Sequence, residues 1–467
     1  MTPYRYQALT NQLKGDIQAS RWKVGERLPS VRELCRTQSL SKATVLHALH
    51  QLEAEGLLEA RPKSGYFVKN TQPEKPPAPQ PSTRKPSPQA VNVPSIFRDI
   101  MKHSAAFDIL PNAGGNQAST HLVSLNRHIS RAMRTHPEHS AMYYNEPTGD
   151  PALRNQLSEH YRTTNLDLAP SQFCITAGCQ NALFLALMAT CKPGDNVIVE
   201  SPAFYGVLQL LQQLQLNVIE IPANSETGID IEAFESALQK WQVTACIVTP
   251  AFATPTGATM SADNRRQLVI LANQYDIAVI EDDIYGDLAF ETRPAPLKKL
   301  DQQERVILCS SFSKALSRDL RIGWVSGGRW HDHITQLKLV TQLASSQTVQ
   351  QGLASFLAEG SYRRHLNLYR QTLKQQRDQL IRAIRRYWPA STLFSVPEGG
   401  LALWLEMDTG LDIQAAYPRA LEQGIILTPG TLFSARGQYR NYLRLSFTHP
   451  ITEARDNALQ KLANLLN

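Results

Sequence analysis

At 467 residues, 42% hydrophobic and 19% charged, the chain is too long for one compact core and has the makeup of two or more ordinary globular domains. No run approaches the ~18–20 apolar residues that span a bilayer, and the opening MTPYRYQALTNQLKGD lacks a signal-peptide core, so neither a membrane role nor export is expected. The net charge of +7 is unevenly placed: residues 1–70 hold eleven Lys/Arg against six Asp/Glu, residues 71–97 three against one, and the remainder 34 of each sign. A polyanionic partner is therefore expected for the N-terminal end alone. The six cysteines, Cys35, Cys174, Cys179, Cys191, Cys246 and Cys309, form no CxxC pair. No metal site or disulfide framework is expected, and a reduced cytoplasm suits them.

The first 70 residues read as a compact unit. YRYQALTNQLKGDIQAS gives a helix. LPSVRELCRTQSL gives a second, with Ser30 and Glu33 spaced as a capping box. SKATVLHALHQLEAEG gives a third, capped by Ser41, with Val45, Leu49 and Leu52 on one face and Gly56 ending it. LLEARPKSGYFV reads as two strands turned around KSG, which makes the unit a winged helix-turn-helix. In such a module the start of the third helix enters the major groove. The residues placed there are Ser41, Lys42, Ala43 and Thr44; Arg32 and the wing Lys63 are further phosphate contacts.

The stretch GERLPSVREL…LSKATVLHALHQLEAEGLLEARPKSGYFV resembles the DNA-binding domain of the GntR family of bacterial repressors over residues 4–69. The resemblance implies contacts with double-stranded DNA by Arg32, Lys42, Thr44 and the wing Gly65. Lys42 stands where the family usually has arginine, and Cys35 where it has alanine. Lysine loses the bidentate grip on guanine.

Residues 71–97, TQPEKPPAPQPSTRKPSPQAVNVPSIF, are crowded with proline and read as a semi-rigid spacer. From residue 98 to 467, apolar runs alternate with helical patterns: FCIT, NVIVE, LNVIEI, TACIVTP, IAVIEDD, VILCSSFS and RIGWVSG. That alternation predicts an α/β fold with a large, mostly parallel sheet. SFLAEGSYRRHLNLYRQTLKQQRDQLIRAIRRYW reads as a long basic helix. LALWLEM, GIILTPG and YLRLSF then suggest a small sheet in a second lobe.

In SSFSKALSRDLRIGW one lysine, Lys314, sits among small hydroxyl residues, as an amine that captures an aldehyde cofactor must. Pyridoxal 5′-phosphate is the common such cofactor, and its other requirements occur along the chain in order. CITAGCQNALFLAL turns through Gly178, Cys179 and Gln180 into a helix start that suits a phosphate. VESPAFYG offers Phe204 to lie on a ring. AVIEDDIYGDL ends a buried strand with Asp282 for a ring nitrogen and Tyr285 for a phenolic oxygen. Ser311 and Arg321 flank Lys314 as phosphate contacts, and Arg444 in YLRLSF suits a carboxylate. Taken singly, each signal is modest: the glycine turn, the phenylalanine and the strand-end carboxylates also occur as ordinary core or solvated surface, although a surface lysine sits badly among the small residues around Lys314.

The set resembles the fold-type-I, class I/II aminotransferases over about residues 108–465. By position the resemblance makes Lys314 the Schiff-base lysine, Asp282 and Tyr285 the ring partners, Phe204 the stacking aromatic and Arg444 the substrate-carboxylate arginine. It also places Tyr144, in YNEPTGDPALR, across the interface of a homodimer on the cofactor phosphate of the other subunit. Thr254, in FATPTG, stands where the family has asparagine, and Arg318-Asp319 where it has Pro-Gly. The whole chain resembles the MocR subfamily of GntR-type regulators, which implies a cytoplasmic bacterial transcription regulator. Its aminotransferase-like body would sense the cofactor or a small amino compound. Two alternatives stay open: a working transaminase that also binds DNA, and a scaffolding dimer with a dead site.

Overall fold

The computed structural model describes residues 5–18, 21–22, 25–54, 57–61, 64–68, 77–91, 100, 102, 108–110, 120–135 and 142–466. The chain divides into two compact units, Met1–Pro76 and Pro77–Asn467.

Among the described residues, the first unit contains three helices, Arg5–Gln18, Val31–Gln38 and Lys42–Ala54, followed by β1 (Leu58–Arg61) and β2 (Gly65–Val68). The two strands pair antiparallel, Glu59 opposite Phe67. Ser30 Oγ accepts the Glu33 amide at 3.2 Å, and Ser41 Oγ accepts the Thr44 amide at 3.2 Å, so both serines cap helices as their spacing predicts. Between the second and third helices, Ser39 adopts a left-handed conformation and returns its N–H to Cys35, which makes the sharp turn. Leu9, Leu13, Leu34, Val45, Leu49, Leu52, Leu58 and Val68 close a core of their own. Gly56 and Lys63 lie outside the described residues.

In the second unit, a nine-stranded sheet is formed among the described residues. Its order is β3-β6-β5-β8-β9-β10-β11-β4, with β7 on β6. The strands are β3 (Gln89–Ala90), β4 (Cys174–Thr176), β5 (Asn196–Ser201), β6 (Asn217–Asn224), β7 (Gly228–Ile229), β8 (Ala245–Val248), β9 (Ala278–Asp282), β10 (Val306–Ser311) and β11 (Gly323–Ser326). The run β6-β5-β8-β9-β10 is parallel, whereas β11 is antiparallel to β10 and β4. These strands are apolar on both faces because hydrophobic layers cover both. Every sequence run read as a strand of this sheet is one.

The second lobe carries β12 (Leu393–Phe394), β13 (Ala402–Glu406) and β14 (Tyr442–Ser446), all antiparallel. GIILTPG, expected as a strand, is not one: Leu393–Phe394 takes the third place. The segment does run beside β14, with the Arg444 amide donating to Thr428 and a single bridge from Pro429 to Leu443. Pro429 has no N–H, so the ladder stops there. The long basic stretch divides at Gly360 into helices Gln347–Ala358 and Ser361–Tyr387.

The proline-rich stretch is no open spacer in its second half. Gln89 and Ala90 pair with Val218 and Asn217 at the edge of β6, and Val91 is buried in the large-lobe core. A sheet edge offers unpaired donors and acceptors, and the two non-proline residues after Pro88 can meet them.

The first unit, the head, has a small core, so each of its buried leucines carries a large share of its stability. Leu49 is 0% exposed. Leu49→Ala is expected to cost about 2–5 kcal/mol and to lower or abolish the head's thermal transition while leaving the larger unit's in place, as read by calorimetry.

Candidate functional site

Five segments leave the C-terminal edge of the large sheet. They follow β4 at Thr176, β5 at Ser201, β8 at Val248, β9 at Asp282 and β10 at Ser311. In an open α/β sheet that edge forms a ligand crevice. It receives the Gly178 turn, the Phe204 loop, the Thr254 loop, the Asp282–Tyr285 pair and the Lys314 turn.

Gly178 has φ +89° and caps the Cys179–Thr190 helix without a side chain, leaving the first-turn amides open for an anion. A Cβ at Gly178 would lie 2.7 Å from Arg321 Nη2, which itself donates to the Ala177 carbonyl at 2.8 Å. Gly178, Cys179, Gln180 and Arg321 thus share one small cradle. The Gln180 side chain is engaged elsewhere, donating to Gly206 O at 2.8 Å, so only its amide faces this task. Gly206 in turn lies tight against the Phe204 ring, where a Cβ would come within 2.5 Å.

Asp282 is 3% exposed. Its Oδ1 accepts the Cys179 thiol at 3.2 Å and the Ile284 amide at 3.2 Å. Burial raises its carboxyl to about 6 despite these two donors. The same burial, with Asp282 alongside, keeps the Cys179 thiol protonated well above its ordinary range. Tyr285, also buried, is pushed up by burial and by Asp282 while Arg444 draws it down.

Lys314 sits in the turn after β10, held by Phe312, whose ring packs on Trp324 and Tyr362 at 4.8 and 5.3 Å. Burial depresses the lysine's pKa well below its ordinary value. The Arg318 and Arg444 guanidiniums add to the shift, and Asp282 and Cys179 oppose it. A depressed amine is what attack on a carbonyl carbon requires. Ser311 is buried, and its Oγ accepts the Ser313 amide at 3.3 Å. Arg444, 4% exposed, stands on β14 opposite Trp404.

At this edge the Thr254 hydroxyl bonds Tyr285, whereas the buried Ser313 Oγ has no hydrogen-bond partner. Buried hydroxyls are seldom left so. Together with the uncapped helix start, it fits a phosphorylated, oxygen-bearing ring compound. Tyr144 is not gathered into this group: it is 81% exposed, beside exposed Met142 and Tyr143.

In the head, Ser41, Lys42 and Ala43 are exposed at the start of the third helix, and Arg32 is exposed on the second. Ser41 Oγ and Thr44 Oγ1 lie 2.8 Å apart and bond each other. Gly65 opens β2 at φ +103°, a conformation that favours glycine.

Comparison with known proteins covers both units. The family described as "Aminotransferase class I and II" matches residues 113–462, and "Bacterial regulatory proteins, gntR family" matches residues 5–68. An Escherichia coli (strain K12) relative, the uncharacterized HTH-type transcriptional regulator YjiR, is 35% identical over 98% of this chain and 98% of its own length. The chain belongs to the MocR-type family. Kynurenine aminotransferase of Pyrococcus horikoshii, solved with PMP, superposes on the MocR body with a TM-score of 0.72. It has 28% identity and covers 80% of this chain and 94% of its own. LysN, an alpha-aminoadipate aminotransferase of Thermus thermophilus complexed with N-(5′-phosphopyridoxyl)-L-leucine, gives 0.70 at 27% identity, covering 80% and 94%.

Sequence reasoning missed three features of this MocR site. The Cys179 side chain, and not its amide alone, takes part, since its thiol holds Asp282. Ser313 brings a buried hydroxyl next to Lys314. Arg318 brings charge close enough to depress Lys314, and its one sequence signal was the replacement of Pro-Gly by Arg318-Asp319.

The raised carboxyl of Asp282 has a measurable consequence. Folded, it binds its proton more tightly than unfolded, where 3.8 is usual. Its contribution to the ligand-free chain is therefore fully present below about pH 4 and is lost as pH rises through about 6. Asp282→Asn, without ligand, is expected to be more stable than the parent by about 2–3 kcal/mol at pH 7–8 and equal to it below about pH 4. Urea unfolding across this range checks it.

Proposed function

We propose that this MocR-type regulator binds pyridoxal 5′-phosphate covalently through Lys314. In this reading it binds double-stranded DNA through its head, and a small amino compound at the cofactor site alters that binding. The observation that carries the reading is a lysine of depressed basicity beside a buried aspartate and an anion cradle, in one chain with an exposed helix-turn-helix. Bound there, the cofactor supplies an aldehyde carbon and a ring that withdraws electrons.

The chain's residues divide the work. The Gly178–Gln180 turn, Ser311 and Arg321 hold the phosphate. Asp282 accepts from the ring nitrogen, and its Oδ1, bonded to Cys179 and Ile284, keeps the carboxylate aimed. Tyr285 and Thr254 serve the phenolic oxygen, and Phe204 covers the ring. Arg444 binds the carboxylate of the amino compound. Lys314 forms the covalent link and, once displaced, is the group at hand to move a proton. Tyr144, exposed within its own chain, completes the phosphate site of a second subunit, which makes the working unit a homodimer in the cytoplasm.

Transamination is a second reading favoured by one observation, the depressed Lys314 amine beside Asp282, an amine more readily freed of its proton than an exposed lysine. Half-reaction spectra with an amino-acid panel separate the two readings: conversion of the chromophore and release of a keto acid mark a transaminase. Binding without conversion marks a sensor.

Lys314→Ala is expected to abolish the borohydride-trappable visible chromophore and to leave the circular dichroism spectrum intact. A retained covalent chromophore would overturn the assignment. In the head, Lys42→Ala and Arg32→Ala are each expected to weaken binding to a duplex that the parent retards. Each should flatten the log–log salt dependence by about one unit. Affinities equal to the parent's at every salt concentration would displace the recognition helix from the positions given.

A further inference from the structure

The second half of the proline-rich stretch bonds to both lobes of the body. At its C-terminal end it belongs to the large lobe: Gln89 and Ala90 extend the sheet beside β6, and Gln89 Nε2 donates to Glu220 at 3.2 Å. At its N-terminal end it touches the small sheet. The Gln80 amide donates to Glu406 at 3.1 Å, and the Tyr442 hydroxyl to the Gln80 carbonyl at 3.5 Å. Between these ends, Ser82 donates to Gln438 at 2.5 Å, and Arg436 Nη2 reaches Ser87 O at 2.8 Å and its Oγ at 2.5 Å. Pro79 is buried. A segment that only spaced two domains would need none of these bonds.

The places it touches are those that position ligand-binding residues. Tyr442 lies two residues before Arg444 on β14, hence on the same face of the strand. Its ring stacks on Trp404 at 5.2 Å, the residue paired with Arg444. Tyr439 packs on the same two rings, and its hydroxyl bonds Ser201 at 2.9 Å. Ser201 ends β5, three residues before Phe204. The segment thus rests on an aromatic cluster with the ring-covering loop on one side and the carboxylate arginine on the other. Gln80 comes twelve residues after Val68, the last residue of the head's β2.

We infer that Gln80–Ala90 is a strap that reports the position of the small lobe to the DNA-binding head. This rests on the proposed function, in which an amino compound binds Arg444. The strap is fixed on β6, while its other end follows Glu406 and Tyr442. A carboxylate that draws β14 toward the large lobe changes the Gln80 bonds, and with them the point from which the chain departs for the head. A ligand can shift such an equilibrium only through a contact that differs between the two positions, and Arg444 supplies one.

Hydrogen exchange on the full chain, read at the amides of Gln80–Ala90, tests this with two probes. Pyridoxal 5′-phosphate lacks an amino-acid carboxylate; N-(5′-phosphopyridoxyl)-L-leucine carries one. Strap exchange is expected to differ by about fivefold or more between the two bound states, the size set by one hydrogen bond made or lost. Arg436→Ala combined with Glu406→Gln is expected to bind both probes and to lose that difference. Ser82→Ala with Gln89→Ala repeats the test through strap side chains alone, leaving the backbone pairing of Gln89 and Ala90 with β6 in place. Both probes binding with unchanged strap exchange would overturn the strap and leave the functional reading standing. Failure of either probe to bind the parent would overturn that reading, and the strap with it.

Discussion

Burial opposes charge at both poles of the site, and the rest of the body is arranged around that conflict. Asp282 ends a strand buried on both faces, so its carboxyl titrates near 6 even with a thiol and an amide donating to it. Lys314 meets the same penalty from the other side, its proton disfavoured by burial and by two guanidiniums. An acid and an amine both pushed toward neutrality form a weak pair with each other and an avid one with a ligand that brings its own charges. The apo chain carries that cost in stability, and a bound cationic ring beside Asp282 would relieve it.

The three acids that end and follow β9 show how register enforces this. Glu281 points to one side and accepts the Leu297 and Lys298 amides at 2.6 and 3.0 Å. Asp282 points to the Cys179 side. Asp283 bonds Arg293 at 2.6 Å and Tyr161 at 3.1 Å. Arg293 also bonds Asp287 at 2.8 Å, which holds His160 and Tyr362. Glu281 thus gives both oxygens to backbone amides, and Asp283 is held by a guanidinium and a phenol. Asp282 is left with one oxygen committed to a weak thiol donor and a backbone amide. A one-residue slip would hand the site a carboxylate already spoken for.

The large sheet and the order of the site were legible in the sequence because both are local signals. Apolar runs such as TACIVTP fix a buried strand, and the residues just after such a strand reach the C-terminal edge whatever the loops do. What sequence could not give was pairing across distance. GIILTPG is as apolar as its neighbours, but Pro429 denies it a ladder, and the unremarkable Leu393–Phe394 takes the place. The Cys179 thiol meets Asp282 across 103 positions, and cysteine within an apolar helix reads as filler. The strap was hidden for a related reason: its bonds run from Gln80 to Glu406 and from Ser87 to Arg436, and proline content alone says spacer.

The distribution of charge explains why a strap of this kind suffices. The body is electrically balanced while the head and the stretch after it carry the whole excess, so in the proposed coupling the body would contribute position rather than net charge. Useful coupling between two binding events amounts to about 1–3 kcal/mol. One or two hydrogen bonds, at about 0.5–1.5 kcal/mol each, lie in that range. A tighter tether would lock the head in one arrangement, and a free linker would pass nothing on. A segment held at one end by two residues of sheet, and at the other by a carboxylate and a tyrosine on the moving lobe, sits between those limits.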